Sequence, residues 1–475
     1  MPALLFCTFA QAEEAASPLQ NVAVTASRTS QLGIADTANS GIVTQQQLAA
    51  RTVYRPGELL EATPGLIVSQ HSGEGKANQF YLRGFNLDHG TDFRTTVDGM
   101  PVNQRSHAHG QGWSDLNFLI PELASKLEYR KGPYYAAEGD FASAGAVALH
   151  YADKLATGIA SLTAGQYGYR RGLLAASPAV ANGHLLVALE LFRNDGPFTR
   201  GDDFRKANGV LRYSAGDHAN GWHAALMAYR ATWNSTDQIP QRAVDSGRLG
   251  RFDAIDLSDG GSAHRYSMSA GWRRTGATSA TRADIYAIHN DLQLFSNFTY
   301  FLDDPVNGDQ FAQPDRRVTT GFNVRHTWQA GSDSENTLGL QGRNDNIHNG
   351  LYNTRERRVL SVTREDHIVE SDVGLYFENA TRWSPQFRTV LGARADHFRM
   401  KVASDLAANS GTARGTQVSP KLAAIWGPWQ KTEFYFNAGH GFHSNDARGA
   451  TIAIDPKSRE PAERVAPLVR AKGLE

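Results

Sequence analysis

The segment from Asn103 to Phe118 reads NQRSHAHGQGWSDLNF and sets two imidazoles, His107 and His109, one residue apart. In an extended chain, side chains at i and i+2 share a face, so both rings can meet one ligand, with Arg105 one step earlier. Imidazoles at this spacing suit a metal site, an acid–base pair, or plain hydrogen bonding in a polar loop. His71 and Glu74 lie in SQHSGEGKANQ and could converge with this loop, whereas NLDHG adds Asp88 and His89 on a side the sequence does not fix. Which chemistry applies depends on the elements that hold the loop.

The bulk of the chain narrows the choice. Its 475 residues exceed one ordinary compact domain. Lysine plus arginine equals aspartate plus glutamate at 48 each, without the basic excess of a nucleic-acid binder. No apolar run reaches the ~18 residues of a membrane-crossing helix. The 45 glycines and 10% aromatic residues suit an all-β chain with many turns. The chain carries no G-x-S-x-G, phosphate loop or paired-cysteine motif, and strands do not alternate with helices after residue 150. The reading is therefore not an enzyme, and no cofactor is implied. The single cysteine, Cys7, sits in MPALLFCTFAQA, a short apolar stretch closing on Ala10-Gln11-Ala12. That small-residue ending is a secretory cleavage pattern. Without the usual basic start, residues 1–12 read as a signal-peptide remnant whose true beginning lies upstream.

Three zones follow. Residues 13–40 are polar and alanine-rich, a flexible arm. Residues 41–150 are mixed, with a helix expected from about Arg55 to Glu61, stopped by Pro64-Gly65, and short strands in QFYLRGF, FRTTVDGMPV and KLEYRKG. From 151 the chain reads as hairpins. Val373, Leu375 and Phe377 alternate with Asp372, Tyr376 and Glu378. Beyond the turn at Ser384-Pro385-Gln386, Phe387, Leu391, Ala393 and Ala395 alternate with Arg388, Arg394 and Asp396. Likewise Tyr286, Ile288, Leu292 and Leu294 oppose Ala287, His289, Asp291 and Gln293, and Phe434, Phe436 and Ala438 oppose Glu433, Tyr435 and Asn437. A soluble sandwich would bury the apolar face, whereas a membrane barrel would turn it to lipid and the polar face to a wet lumen. Strands of about ten residues and tight turns alternating with long polar loops favour the barrel. So do Trp222, Trp233, Trp272, Trp328 and Trp383 near strand ends, where an interfacial girdle would stand.

Residues 81–147 sharpen the reading. YLRGF (81–85), TVDGMPVN (96–103), LEYRKGP (127–133) and EGDFASAGAV (138–147) resemble, in order and separation, the plug domain of TonB-dependent outer-membrane receptors. NVAVTASR (21–28) is similar to their TonB box, and SPKLAAIW and GHGFHSNDARG to their barrel strands and loops. The resemblance implies a large antiparallel membrane β-barrel, 22-stranded in the family, behind a mixed α/β plug. The plug would occupy 41–150. Residues 151–475 would form a partial barrel lacking its C-terminal strands, since PLVRAKGLE precedes further strands in the family.

It implies roles as well. The TonB box would be Asn21, Val22, Ala23, Val24, Thr25 and Ala26, a β-prone segment able to pair with the sheet edge of a TonB-type inner-membrane energising protein. Arg83, Asp98 and Arg130 would form ion pairs in the plug or against the barrel wall. Gly84, Gly99, Gly132, Gly139 and Gly145, with Pro133, would shape its turns and close packing. The histidine loop would be apical. His71, Arg105, His107 and His109 would then hydrogen-bond a metal chelate such as a siderophore; alternatively His107 and His109 would ligate a metal ion, or the loop is merely polar. The partners implied are the energising protein, outer-membrane lipid and the metal-bearing ligand, without nucleic acid, in the outer membrane of a Gram-negative bacterium. The competing reading is a passive porin-like or adhesin barrel with a structural plug.

Overall fold

Side chains alternating at a period of two dominate from Ile159 onward, and the backbone follows. The computed structural model describes residues 35–70, 73–217 and 219–474. Its larger part is one antiparallel sheet of 15 strands, 14 of them paired in succession and one two-residue strand beside that path. These are β9 (Ile159–Ala164), β10 (Arg170–Ala176), β11 (Ala179–Val180), β12 (Gly183–Asn194), β13 (Phe204–Gly216), β14 (Asn220–Asn234), β15 (Gly260–Thr275) and β16 (Ser279–Ser296). They continue as β17 (Phe311–Gln329), β18 (Ser334–Arg355), β19 (Arg358–Ser384), β20 (Phe387–Ser404), β21 (Gly411–Trp429), β22 (Thr432–Ser444) and β23 (Leu468–Leu474). One rim carries tight turns, such as Pro385-Gln386. The other carries the 235–259, 297–310 and 445–467 loops, which include short helices at Gln241–Asp245 and Ala447–Thr451.

Inside the sheet lies residues 40–151. β1 (Ser40–Thr44), β7 (Ala124–Lys131), β8 (Gly145–Tyr151), β5 (Phe93–Val97) and β6 (Met100–Pro101) form one sheet in that order, with β5 and β8 parallel. β2 (Leu66–Ser69), β3 (Gln79–Leu82) and β4 (Phe85–Asn86) form a second. Helix α1 (Gln45–Ala49) starts at a capping box, in which Thr44 Oγ1 accepts from Gln47 N and Gln47 Oε1 accepts from Thr44 N. The helix expected at 55–61 is a 3-10 helix, Pro56–Ala62. Pro56 suits its first turn because no backbone N–H is needed there.

Three expectations need correction. Strands run to 22 residues in β18 and 27 in β19, not about ten, because they stay paired beyond the height that lipid covers. The apolar face is outermost where expected in β19 and β22, with Val373, Leu375, Phe377, Phe434 and Phe436 exposed and Asn437 buried. In β16 the assignment reverses. Tyr286, Ile288, Leu292 and Leu294 point inward and join one apolar cluster with Phe80, Phe93 and Leu116 of the inner domain, while Ile285 is the outward residue. A plug that is apolar on that side makes a dry inner wall favourable. Trp222 and Trp272, opposite each other across β14 and β15, are exposed near the tight-turn rim with Trp383, Trp426 and Trp429. Trp233 is buried instead. It meets Gly75, whose φ of +90° and lack of a side chain let the backbone lie on the indole; a Cβ there would come within 2.1 Å of the ring.

Candidate functional site

The histidine loop is a tight excursion closed by a bridge between Gln104 and Trp113, with Gln104 N donating to Trp113 O at 2.9 Å and Gly112 N to Gln104 O at 2.8 Å. Its hub is the Trp113 indole, around which three imidazoles gather. His107 stacks on it at 4.8 Å and 11°, His89 lies at 4.8 Å, and His109 approaches edge-on at 5.0 Å. His89 Nδ1 donates to the Asn78 carbonyl at 3.1 Å, and His109 Nδ1 lies 2.9 Å from Gln313 Oε1. His107 is buried, and its Nδ1 accepts from His109 N at 3.2 Å. Its Nε2 has no hydrogen-bond partner and stands 4.0 Å from Asp315 Oδ2. Burial first, then the nearby Arg317 guanidinium, hold the His107 pKa well below the usual imidazole value; the ring is neutral. Among the described residues, no three His, Cys, Asp or Glu side chains are arranged to hold a metal ion. His71 lies outside the described residues, as do 21–26 and Cys7.

Arg105 is not at the loop surface. Its buried guanidinium donates from Nε to Asp140 at 2.6 Å and from Nη1 to Asp372 at 2.7 Å, stands 3.8 Å from Asp345, and lies over the Phe398 ring. The next residues are fastened to the wall through their backbone. Arg317 Nη1 donates to Arg105 O at 2.5 Å, Asn349 Nδ2 to Ser106 O at 2.8 Å, and Arg448 Nη2 to His107 O at 2.7 Å. Ala108 N donates to Asp315 at 3.1 Å, and its carbonyl accepts from Gln313 at 2.8 Å. Ser106 Oγ bonds Glu370. The loop thus climbs the wall from Asp372 in mid-strand to Gln313 and Asp446 at the long-loop rim.

The other candidates are spread over the plug. Asp98 accepts from Tyr151 N at 3.2 Å and from wall residue Arg212 at 3.2 Å. Arg130 pairs with Glu138 at 2.8 Å inside the plug. Arg83 bonds Asn39. Gly99 turns with φ +81° and offers its carbonyl to Asn323 at 3.1 Å, while Gly84 and Gly132 also turn at positive φ. Pro133 O accepts from Lys421 at 2.6 Å. Gly139 leaves room for Arg394, and Gly145 for the Arg130 carbonyl.

Several charged wall residues, among them Arg317 and Arg394, which bond plug carbonyls, escaped the sequence reading as a group. They carry a recurrent signal: arginine and aspartate two apart on one strand face. Arg282–Asp284, Asp315–Arg317, Arg343–Asp345, Arg364–Asp366 and Arg394–Asp396 all form ion pairs.

Comparison with known proteins agrees with this architecture. The chain spans 30% of the length of a curated relative, the vitamin B12 transporter BtuB of Vibrio vulnificus (strain CMCP6), and is 26% identical to it over 194 residues, 40% of the chain. Two solved structures share the fold. The copper transporter OprC superimposes with TM-score 0.69 at 17% identity, covering 92% of this chain and 70% of that one. Unliganded ferric citrate transporter FecA does so with TM-score 0.72 at 14%, covering 92% and 66%. Residues 34–146 match the TonB-dependent Receptor Plug Domain. Residues 188–457 match the TonB dependent receptor-like, beta-barrel family, more than half of the chain. The chain therefore belongs to the TonB-dependent receptors, plugged β-barrels of the Gram-negative outer membrane.

Proposed function

We propose that the chain is the plug and wall of an energy-coupled receptor that takes up a scarce ligand, a metal chelate of the siderophore type in preference to a bare metal ion. The observation that carries the reading is the plug's attachment along β17–β21. It is made of charge pairs and bonds to backbone carbonyls, such as Arg105–Asp372, Arg317–Arg105 O and Arg394–Ala136 O at 3.0 Å. Such contacts can break and reform where water enters, which suits a plug that must shift. Residues 41–150 act as the plug and 21–26 as the segment a TonB-type partner grips. Ligand meets His109 and Gln111 at the loop tip, where an imidazole and an amide offer hydrogen bonds. The chelate is preferred because the described imidazoles stack on Trp113 rather than converge on one point.

The test is uptake of labelled candidate chelates by cells carrying the receptor with residues 21–26 deleted. Surface binding should persist and uptake vanish. Uptake that survives would instead establish a passive barrel. His107→Ala/His109→Ala then separates the ligands. Loss confined to one free divalent metal would favour direct ligation, and loss of chelated iron the chelate.

A further inference from the structure

Outside the lumen, the outward face of β20 and β21 is uncharged over a long stretch. From the tight-turn rim, β20 presents Phe387, Thr389, Leu391, Ala393 and Ala395; β21 presents Trp426, Ala424, Leu422, Pro420 and Val418. Phe387 and Trp426 stack at 5.4 Å and mark the inner interface. The face then changes abruptly. His397, Arg399 and Lys401 follow on β20, with Thr416, Arg414 and Thr412 opposite, and all six are exposed. That they face outward follows from their neighbours Phe398, Met400 and Val402, which are buried in an inward apolar cluster.

Arg399 and Arg414 stand directly opposite each other in register. Like charges so placed repel and weaken a strand pair. Among the described residues, neither arginine nor Lys401 makes a hydrogen bond or ion pair with another side chain. On the β19 side Arg399 and Lys401 face Ser371 and Val369, not a carboxylate. Their height is informative. Arg399 is twelve residues above Phe387, and Arg414 twelve above Trp426. At ~3.3 Å per residue and a tilt of roughly 40° that is about 30 Å, the thickness of the hydrocarbon core. The cations therefore sit at the outer head-group level, continuous with the lipid-facing belt. Guanidiniums grip phosphate bidentately and better than ammonium groups.

We propose that His397, Arg399, Lys401 and Arg414 form a binding site for a phosphorylated lipid of the outer leaflet, the phosphates of lipid A bridging Arg399 and Arg414. The anion removes the repulsion across the β20–β21 pair and fastens this wall to its lipid.

The experiment is thermal unfolding of the purified receptor in detergent, with and without added lipid A, for wild type and Arg399→Gln/Arg414→Gln. Arg274→Gln, an exposed arginine at the tight-turn rim, is the control. Lipid A should raise the wild-type and control midpoints by several degrees and leave the double variant unmoved. Lipid A co-purified from membranes, measured by mass spectrometry, should fall several-fold in the double variant alone. Without lipid the double variant should be at least as stable as wild type, because it removes repulsion; this shows that it folds. Arg399→Lys/Arg414→Lys should keep part of the effect. Equal stabilisation of wild type and double variant by lipid A overturns the proposal, as does equal stabilisation of wild type by inorganic phosphate or phosphatidylglycerol.

Discussion

The plug meets its two walls in different ways. Toward β10–β16 its apolar core runs on without a break: Leu186, Phe204, Met227, Ile288, Leu292 and Leu294 belong to the same cluster as Phe80, Leu116 and Leu127. Toward β17–β21 the wall has its own apolar cluster around Ile347, Phe398 and Phe442, and the plug is held by Arg105, Asp140, Ser106 and backbone carbonyls. Apolar contact is non-directional and tolerates sliding only as a whole surface, whereas a charge pair breaks locally and can be replaced by water. Charge pairs cross on the first side too, Asp98–Arg212 and Glu122–Arg171 among them, but there they border a shared apolar core; that wall therefore works as a seat and the other as a releasable clasp.

The contrast can be broken at its strongest point. Arg105→Leu leaves Asp140, Asp345 and Asp372 buried around an absent charge, and stripping one partner from a buried ion network costs about 3–5 kcal/mol. Protease accessibility of the plug and the thermal midpoint should both register it. A plug as protected as wild type would remove the clasp from the account. On the seat side, Leu294→Ala opens a cavity at a fully buried position and should cost about 2–4 kcal/mol. Here hydrogen exchange should rise in β3 and β5 of the plug as well as in β16. Exchange confined to β16 would show that the shared core is not cooperative.

A smaller effect concerns acid. Burial pushes the Glu138 carboxyl up, but the guanidiniums of Arg94 and Arg130, at 2.5 and 2.8 Å, outweigh it and hold its pKa below the usual glutamate value. A carboxyl with a lower pKa in the folded state adds stability that is complete above the unfolded pKa and declines as pH falls through the folded one. Plug stability should therefore drop from about pH 5 downward, with part of the drop absent in Glu138→Gln; an unchanged profile in that variant would contradict the assignment. Least of all, Leu391→Ala on the lipid face should cost only a fraction of the Leu294→Ala effect, because lipid tails fill the space a lumen cannot. Equal costs would mean that the two faces have been assigned wrongly.

Much of this was legible beforehand. Turn glycines such as Gly99 and Gly132 sit where positive φ demands them, and alternation marked two faces in the segments of β16, β19, β20 and β22. Alternation does not say which face is wet. In β16 the answer depends on a plug surface roughly 200 residues away in the chain, so Leu292 and Leu294 read as lipid-facing when they are core. Asp98–Arg212 was equally hidden, because partners 114 residues apart depend on register and not on local pattern. The paired arginines and aspartates on strands were visible as spacing but passed as ordinary polar residues. Within the histidine loop, spacing placed His107 and His109 together, yet nothing local marked Trp113 as the ring they share or Arg105 as a buried clasp.

Gly75 sets how deeply the two pieces fit. Its backbone rests on the Trp233 indole with no space for even a methyl group, and its φ of +90° disfavours any other residue. Trp233 stands next to the 235–259 loop, so a bulge here would push the plug off the wall at the long-loop rim and strain the neighbouring Lys76–Asp237 pair.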